Sequence, residues 1–411
     1  MHAMKCRHCQ AALSLPFLDL GAAPPSNAYL DAAQLDAREK WYPLRVFTCT
    51  TCWLVQTQDY AHHADLFASD YAYFSSYSTS WLAHSKAYVE AMCSRFGLGP
   101  ASLVTEVAAN DGYLLQYVQQ AGIPCYGIEP TASTAAAARD KGIEIVERFF
   151  GVPLADELAG AGRQVDLVAA NNVLAHVPGI NDFVAGFARL LKPQGVATFE
   201  FPHLLRLVQE TQFDTVYHEH FSYLSLTIVQ RIFAANGLSV FDVAELPTHG
   251  GSLRVFAQRS DTGRHAKLAR VGELLQHELD AGMRSSAFYT GFQAQADRVK
   301  NDFLTFLIDA KRQGKRVAAY GAAAKGNTLM NYAGIRPDLV AFVADRNPAK
   351  QGKHMPGSRI PIVAEQHLLD ARPDYVVILP WNLKAEVTQQ LAAVRAWGGR
   401  FVTAVPQLEV T

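Results

Sequence analysis

The chain has 411 residues, enough for two or three domains with complete cores, and 37 basic side chains against 38 acidic ones give it a formal charge of −1. That balance removes the electrostatic basis for binding nucleic acid or a membrane surface. No apolar run reaches the length of a membrane-spanning helix, and the residues from Met1 to Cys6 lack the apolar stretch of a signal peptide, so a cytoplasmic location is expected.

Four of the six cysteines form two C-x-x-C knuckles, Cys6-Arg-His-Cys9 and Cys49-Thr-Thr-Cys52. Each knuckle offers two sulfurs to one tetrahedral centre, and two knuckles close a structural zinc site with no position open for chemistry. Neither pair opens a thioredoxin-like unit, so a redox role is disfavoured. His8 lies between ligands, but four thiolates already fill the site. The gap between the knuckles exceeds that of a minimal zinc ribbon, so the intervening segment must form loops or strands of its own. Cys93 and Cys125 read as buried small apolar residues. A zinc-binding domain is placed at residues 1–68.

Residues 70–86 are dense in aromatic rings and hydroxyls. A sugar-binding wall uses such groups, with Tyr71 and Tyr73 the best candidates; the alternative is a polar linker opening a helix near Ser80. Next, Leu103 to Leu115 runs from an apolar strand ending near Glu106, through Ala108-Ala-Asn110-Asp-Gly112, into a helical pattern. Small residues let the backbone approach a ligand closely, and a helix start offers free N–H groups. The following strand ends in Glu129, about 20 residues on, where a carboxylate accepts both ribose hydroxyls of a nucleoside. This is read as an S-adenosylmethionine (SAM) pocket, against an ordinary βαβ unit without ligand. Helical patterns follow near Leu114–Ala121 and Thr134–Lys141. Phe149-Phe150 either covers an adenine ring or belongs to the core. The buried strand Val165–Ala170 ends in Asn171-Asn172, counted with the cofactor-binding residues, and His176 lies just beyond. A turn at Leu190–Gly195 precedes a strand at Val196–Glu200.

Tyr217-His218-Glu219-His220 concentrates ionisable groups in a chain that is only 18% charged. If the segment is extended, Tyr217 and Glu219 share one face and His218 and His220 the other. Catalysis is the lead reading, against a metal pair lacking a third ligand and a solvated loop. His249-Gly-Gly enters a strand suited to a late antiparallel hairpin, with His249 facing the pocket. From about Glu273 to Lys311 the pattern is helical and amphipathic, a connector. The central SAM domain is placed at 69–285, and the connector with a C-terminal Rossmann-like domain at 286–411. That last region repeats strand, small-residue turn and helix start at Val317–Thr328. Gly321 and Lys325 are positioned to hold a diphosphate, Val340–Asp345 is a further strand, and Asn382 follows a third strand end. A non-binding helper fold is the alternative.

Together, both cysteine knuckles, Tyr71 with its serine-rich stretch, Glu106 to Gly112, Asn172 to His176, Glu219-His220, His249-Gly-Gly and Gly321 to Lys325 resemble the SAM-dependent sugar C-methyltransferases acting on nucleotide-linked 4-keto-deoxysugars. The resemblance spans nearly the whole chain. It implies an α/β architecture: a small zinc domain, a central doubly wound class I methyltransferase sheet, and a C-terminal Rossmann-like domain that helps hold the sugar nucleotide. It implies Tyr71, His176, Tyr217, Glu219 and His220 around the sugar, and Glu106, Gly112 and Glu129 around SAM. Many SAM enzymes carry Gly where this turn has Ala108 and Ala109, so those two are expected to keep negative φ, leaving strain to Asn110 or Gly112.

The expected reaction is C-methylation at C-3 of a nucleotide-diphosphate 4-keto-6-deoxysugar through an enolate. His220 is the base, and Tyr217, Tyr71 or His176 stabilise the oxyanion. Zinc is structural, and a monomer or small homo-oligomer is expected. Three rivals are carried. A zinc-containing RNA methyltransferase predicts a basic face, a non-catalytic SAM- or nucleotide-binding module predicts no turnover, and a nicotinamide-dependent sugar oxidoreductase would use the C-terminal turn.

Overall fold

The structure, a computed structural model, describes residues 4–60 and 74–411, and three sheets organise them. The first is antiparallel: β1 (Leu15–Ala23), β2 (Tyr42–Thr48), β3 (Val55–Thr57) and, from far along the chain, β9 (Ser222–Tyr223). In β2 the buried residues Leu44, Val46 and Thr48 alternate with residues outside the core, as a half-buried strand requires.

The central sheet contains β4 (Val104–Val107), β5 (Cys125–Ile128), β6 (Ile145–Val146), β7 (Val165–Asn171), β8 (Leu191–Pro202), β10 (Leu238–Leu246) and β11 (Ser252–Arg259), in the order β10-β11-β8-β7-β4-β5-β6. The first five in chain order pair in parallel, and β11 and β10 close the sheet as an antiparallel hairpin. Strand β4 lies between β5 and β7, so the connections leave it in opposite directions and a crevice opens at the carboxyl ends. The turn expected at Leu190–Gly195 survives as an irregularity inside β8: the β7 partner jumps from Val165–Leu191 to Leu167–Val196, leaving residues 192–195 out of the ladder.

The third sheet has β12 (Val317–Tyr320), β13 (Val343–Ala344), β14 (Ile362–Val363), β15 (Tyr375–Ile378), β16 (Arg400–Thr403) and β17 (Glu409–Val410), ordered β14-β13-β12-β15-β16-β17, and is parallel except for β17. The strand expected at Val340–Asp345 is regular only over Val343–Ala344.

The connector is not one helix. It breaks into Ala269–Asp280, Ser286–Tyr289 and Phe292–Arg312, because Gly282 (φ 85°) and Gly291 (φ 95°) sit in the left-handed region and cannot continue a right-handed helix. Apolar periodicity does not register such breaks. The longest piece packs the modules together: Phe17 of the first sheet stacks on Phe292 at 4.6 Å, and one continuous core runs from Val46 through Phe213 and Val216 to Phe303, Leu329 and Val377. Residues 213–223 are therefore held where all three sheets meet. No helix among the described residues is long and apolar enough to cross a membrane.

Candidate active site

The zinc cluster is assembled by two matching turns. Cys6 O accepts from Gln10 N (2.9 Å) and Cys49 O from Trp53 N (2.8 Å); Cys6 N and Cys49 N each donate to the residue five further on, at 2.8 Å. Gln10 (φ 63°) and Trp53 (φ 69°) take the left-handed position that closes each knuckle. The four Sγ atoms lie within 4.8 Å of one another, with Cys6–Cys52 and Cys9–Cys49 both at 3.5 Å. Zn–S bonds of about 2.3 Å demand sulfur separations of about 3.8 Å, so the donor set fits tetrahedral zinc. His8 stays outside it, its Nδ1 paired to Asn181 Oδ1 at 2.8 Å.

At the β4–β7 crevice, Ala108 N and Ala109 N both donate to Ile128 O (2.8 and 3.2 Å), and Asn110 N donates to Glu129 Oε2 (2.9 Å). The other Glu129 oxygen accepts from Thr131 N at 2.9 Å. These bonds hold Ala108 at φ 60°, contrary to the expectation that it keeps negative φ; Asn110 (48°) and Gly112 (74°) are also left-handed. A left-handed alanine costs about 1–2 kcal/mol, which the fixed pairings to β5 offset. A Cβ on Gly112 would overlap Ile143 Cδ1 and stand 3.3 Å from Ala138 Cβ. Gly112→Ala is thus expected to destabilise the protein by about 2–4 kcal/mol and weaken SAM binding; a melting temperature and SAM affinity equal to wild type would contradict this geometry.

Glu106 is fully buried, and neither carboxylate oxygen completes a hydrogen bond among the described residues. Burial holds its carboxyl well above the usual range; the nearby Tyr113 hydroxyl opposes this, while Asp111, Glu129 and Glu200 add to it. Asn171 Oδ1 and Asp111 Oδ1 are likewise buried with no partner among the described residues. Asn172 (φ 53°) is tied by its N–H to Glu200 O at 2.7 Å. A crevice with surplus buried acceptors fits a cationic ligand rich in donors, which SAM is, with its ammonium, sulfonium and ribose hydroxyls. Ser75 N on Asn110 Oδ1 (2.9 Å) and Ser76 N on Asp111 Oδ2 (3.3 Å) cover the turn. Tyr71 and Tyr73 fall outside the described residues. Phe150 packs edge-on against Phe183 and Phe187 and is core; Phe149 is 54% exposed.

The Tyr217–His220 segment is a turn rather than a strand, closed by His220 N to Tyr217 O at 2.9 Å, so the expected sharing of faces does not hold. The turn brings the Tyr217 and His220 rings to 3.9 Å and sends His218 away, onto Tyr42 O at 3.1 Å. His176 arrives from the end of β7, its ring 4.6 Å from His220. His220 Nδ1 pairs with Thr215 O (2.8 Å) and His176 Nδ1 with Glu219 O (2.9 Å). Carbonyls only accept, so both Nδ1 atoms carry the proton and each Nε2 is the basic nitrogen. Burial lowers both pKa values, to about 4 for His176 and well below the ordinary value for His220, which is further depressed by His176, Lys325 and His249. The Glu219 backbone, not its carboxylate, orients His176.

The remaining wall comes from elsewhere. Gly321 (φ 85°) requires its lack of a side chain, since a Cβ would stand 2.6 Å from Pro380 Cδ. The N–H groups expected to cradle a diphosphate are already engaged: Gly321 N on Ala344 O (2.8 Å), Ala322 N on Asp345 Oδ2 (2.7 Å) and Ala323 N on Gly321 O (2.8 Å). Parallel pairing and the acid that ends β13 consume them. Lys325 Nζ instead donates to Asn382 Oδ1 (2.8 Å) and lies over the Trp381 ring, while Trp381 Nε1 donates to Asp214 Oδ2 (2.8 Å). His249 (φ 57°) sets its ring edge-on to Trp81 at 5.1 Å, and burial with Lys325 lowers its pKa to about 4. Sequence reasoning gave no role to Asn27, Trp81, Glu200, Asp214 or Trp381. Glu200 ends a strand run, as Glu129 does, and Trp81 lies in the aromatic stretch 70–86; Asn27, Asp214 and Trp381 carry no local signal.

An acceptor-rich crevice at the switch point of a doubly wound sheet, beside two neutral imidazoles, defines a SAM-dependent methyltransferase. Family profiles match a zinc binding domain at residues 6–67, a methyltransferase domain at 89–243 and a C-methyltransferase C-terminal domain at 247–406. The chain is 32% identical to C-methyltransferase NovU of Streptomyces niveus over 99% of its own length and 96% of the relative. It belongs to that C-methyltransferase family. The ubiquinone biosynthesis O-methyltransferase of Bartonella quintana (strain Toulouse) is 26% identical over 27% of this chain and 48% of that protein. The SAM-bound magnesium protoporphyrin IX methyltransferase of Synechocystis PCC 6803 aligns over 44% of this chain and 82% of its own, at 19% identity and a TM-score of 0.34.

Proposed function

We propose that this C-methyltransferase acts at C-3 of a nucleotide-linked 4-keto-6-deoxysugar, with His220 as the base. The pairing of His176 and His220 carries the reading: two half-buried imidazoles in contact, each with its tautomer fixed by a carbonyl. Carbon becomes nucleophilic only after losing a proton, and a C-4 ketone acidifies C-3 because the charge moves to oxygen. His220 Nε2 takes that proton. Its low resting pKa reflects desolvation of the cation, and the enolate formed beside it supplies the missing countercharge, so its basicity rises as the proton moves. The Tyr217 hydroxyl stabilises the oxyanion and Lys325 adds positive potential, while His176, whose one N–H is held by Glu219 O, packs against the base. Glu106, Asn110, Gly112, Glu129, Asn171 and Asn172 hold SAM, which supplies the methyl group and its own leaving group. Near-contact alignment of C-3 with that methyl is the positioning work of the crevice. His249, Lys325 and Asn382 face the sugar-nucleotide side. The enzyme works in the cytoplasm as a monomer or small homo-oligomer. The balanced charge disfavours RNA as substrate.

The test is methyl transfer to a nucleotide-4-ketosugar, with solvent deuterium exchange at C-3 followed separately. No turnover of any such sugar, alongside methylation of an RNA, would replace this reading by its rival. The pH profile provides a second check. A base whose folded pKa is lowered stays unprotonated as pH falls, so the acid limb of kcat/KM is expected below the ordinary histidine value of 6.5. An acid limb at or above that value would count against His220.

A further inference from the structure

The long excursion between the two zinc knuckles touches the catalytic turn midway along its length. After β1 the chain runs Ser26-Asn27-Ala28-Tyr29-Leu30 along the C-terminal domain and is stapled there at three points. Ser26 O accepts from Asn327 Nδ2 (2.6 Å), Tyr29 OH donates to Ala322 O (2.6 Å), and Leu30 exchanges backbone bonds with His354 (3.0 and 2.8 Å). Between these staples, Asn27 Nδ2 reaches both oxygens of the Glu219 carboxylate, at 2.9 and 2.8 Å. Glu219 is 1% exposed. A carboxylate only accepts, so the amide must present its NH₂ to it, and Asn27 Oδ1 then lies on the Tyr29 hydroxyl side, at 3.5 Å.

We infer that Asn27 is a positioning residue for the methyl transfer: the zinc domain extends an arm that clamps Glu219 and so sets the turn that carries His220 and holds His176. Glu219 is the fixed point of that turn. Its backbone oxygen holds His176, its neighbour is His220, and its carboxylate is fastened to Asn27. A neutral donor suits this place. It satisfies a buried anion without the competing charge that a lysine would bring beside two histidines that must stay neutral. The inference rests on the proposed roles of His220 and His176. It gives the zinc domain a part in the reaction, although its metal is closed to chemistry.

The test compares zinc-loaded full-length wild type with Asn27→Ala and Asn27→Asp. Asn27→Ala is expected to lower kcat for the ketosugar about 10- to 100-fold, because a lost hydrogen bond to a charged group lets the imidazoles drift. KM and SAM affinity should change little, and amides of residues 213–223 should exchange faster by mass spectrometry. Asn27→Asp places two carboxylates in contact. Activity should fall as pH rises and both ionise, and recover as pH falls and one proton is shared between them, a response that general loosening of the fold does not give. Wild-type kcat in Asn27→Ala, or unchanged exchange at 213–223, overturns the inference. Should wild type turn over no ketosugar, the substrate reading fails, and the exchange measurement alone still decides whether the clamp exists.

Discussion

His220→Asn is expected to abolish both methyl transfer and solvent exchange at C-3, with a loss of about 10²- to 10⁴-fold, the usual contribution of a positioned base. Asparagine keeps a donor for Thr215 O, which now anchors the ring at 2.8 Å, but offers no basic nitrogen at the Nε2 position. SAM affinity should hold, since the Glu106–Gly112 turn and Glu129 lie on other strands and make none of the His220 contacts. His176→Asn should cost less, because it removes a ring packed against the base rather than the base itself. The two readouts separate the roles: a variant that exchanges deuterium but does not methylate still has its base. Full methylation with full exchange in His220→Asn would show that the proton leaves by another route.

Removing the zinc should have the second largest effect, although no sulfur touches substrate. A closed four-thiolate site contributes about 10–16 kcal/mol of apparent binding free energy, which is folding free energy for the module that holds it. Here the module is not isolated. Its sheet takes β9 as a member, paired Val55 to Tyr223 and Gln56 to Ser222, directly after His220. Cys6, Cys49 and Cys52 also lie in the core shared with one face of the central sheet. Cys49→Ser, or a strong chelator with zinc release followed by dye, is therefore expected to abolish methyl transfer. SAM binding should survive in part, because the crevice belongs to a separate sheet. Metal analysis should find about one zinc per chain. Metal-free protein with undiminished kcat would show that the first sheet is dispensable for placing the catalytic turn.

The parts of this protein that were legible from residues alone are those fixed by chemical type at short spacing. Two C-x-x-C pairs can close only a tetrahedral site. Strand, small-residue turn and helix, met twice, announce two doubly wound sheets. Glu129 could be placed beside the turn after β4 because the rule for it counts along the chain. Errors came where neighbours distant in sequence overrule local preference. Ala108 takes a left-handed angle because Ile128 and Glu129 hold the turn around it. The Tyr217–His220 segment folds into a turn because Thr215, His176 and Tyr42 each claim a different side chain or carbonyl.

The sequence by itself determined the donor set for zinc, the α/β class, the glycines at 112 and 321 and the pool of ionisable groups. These follow from covalent identity and backbone sterics, which need no knowledge of what packs against them. Only the tertiary structure decided which groups meet. Asn27 and Glu219 are 192 residues apart, and Asp214 and Trp381 are 167. Such pairs exist because three sheets converge on one segment, and burial there turns an ordinary histidine into a neutral one.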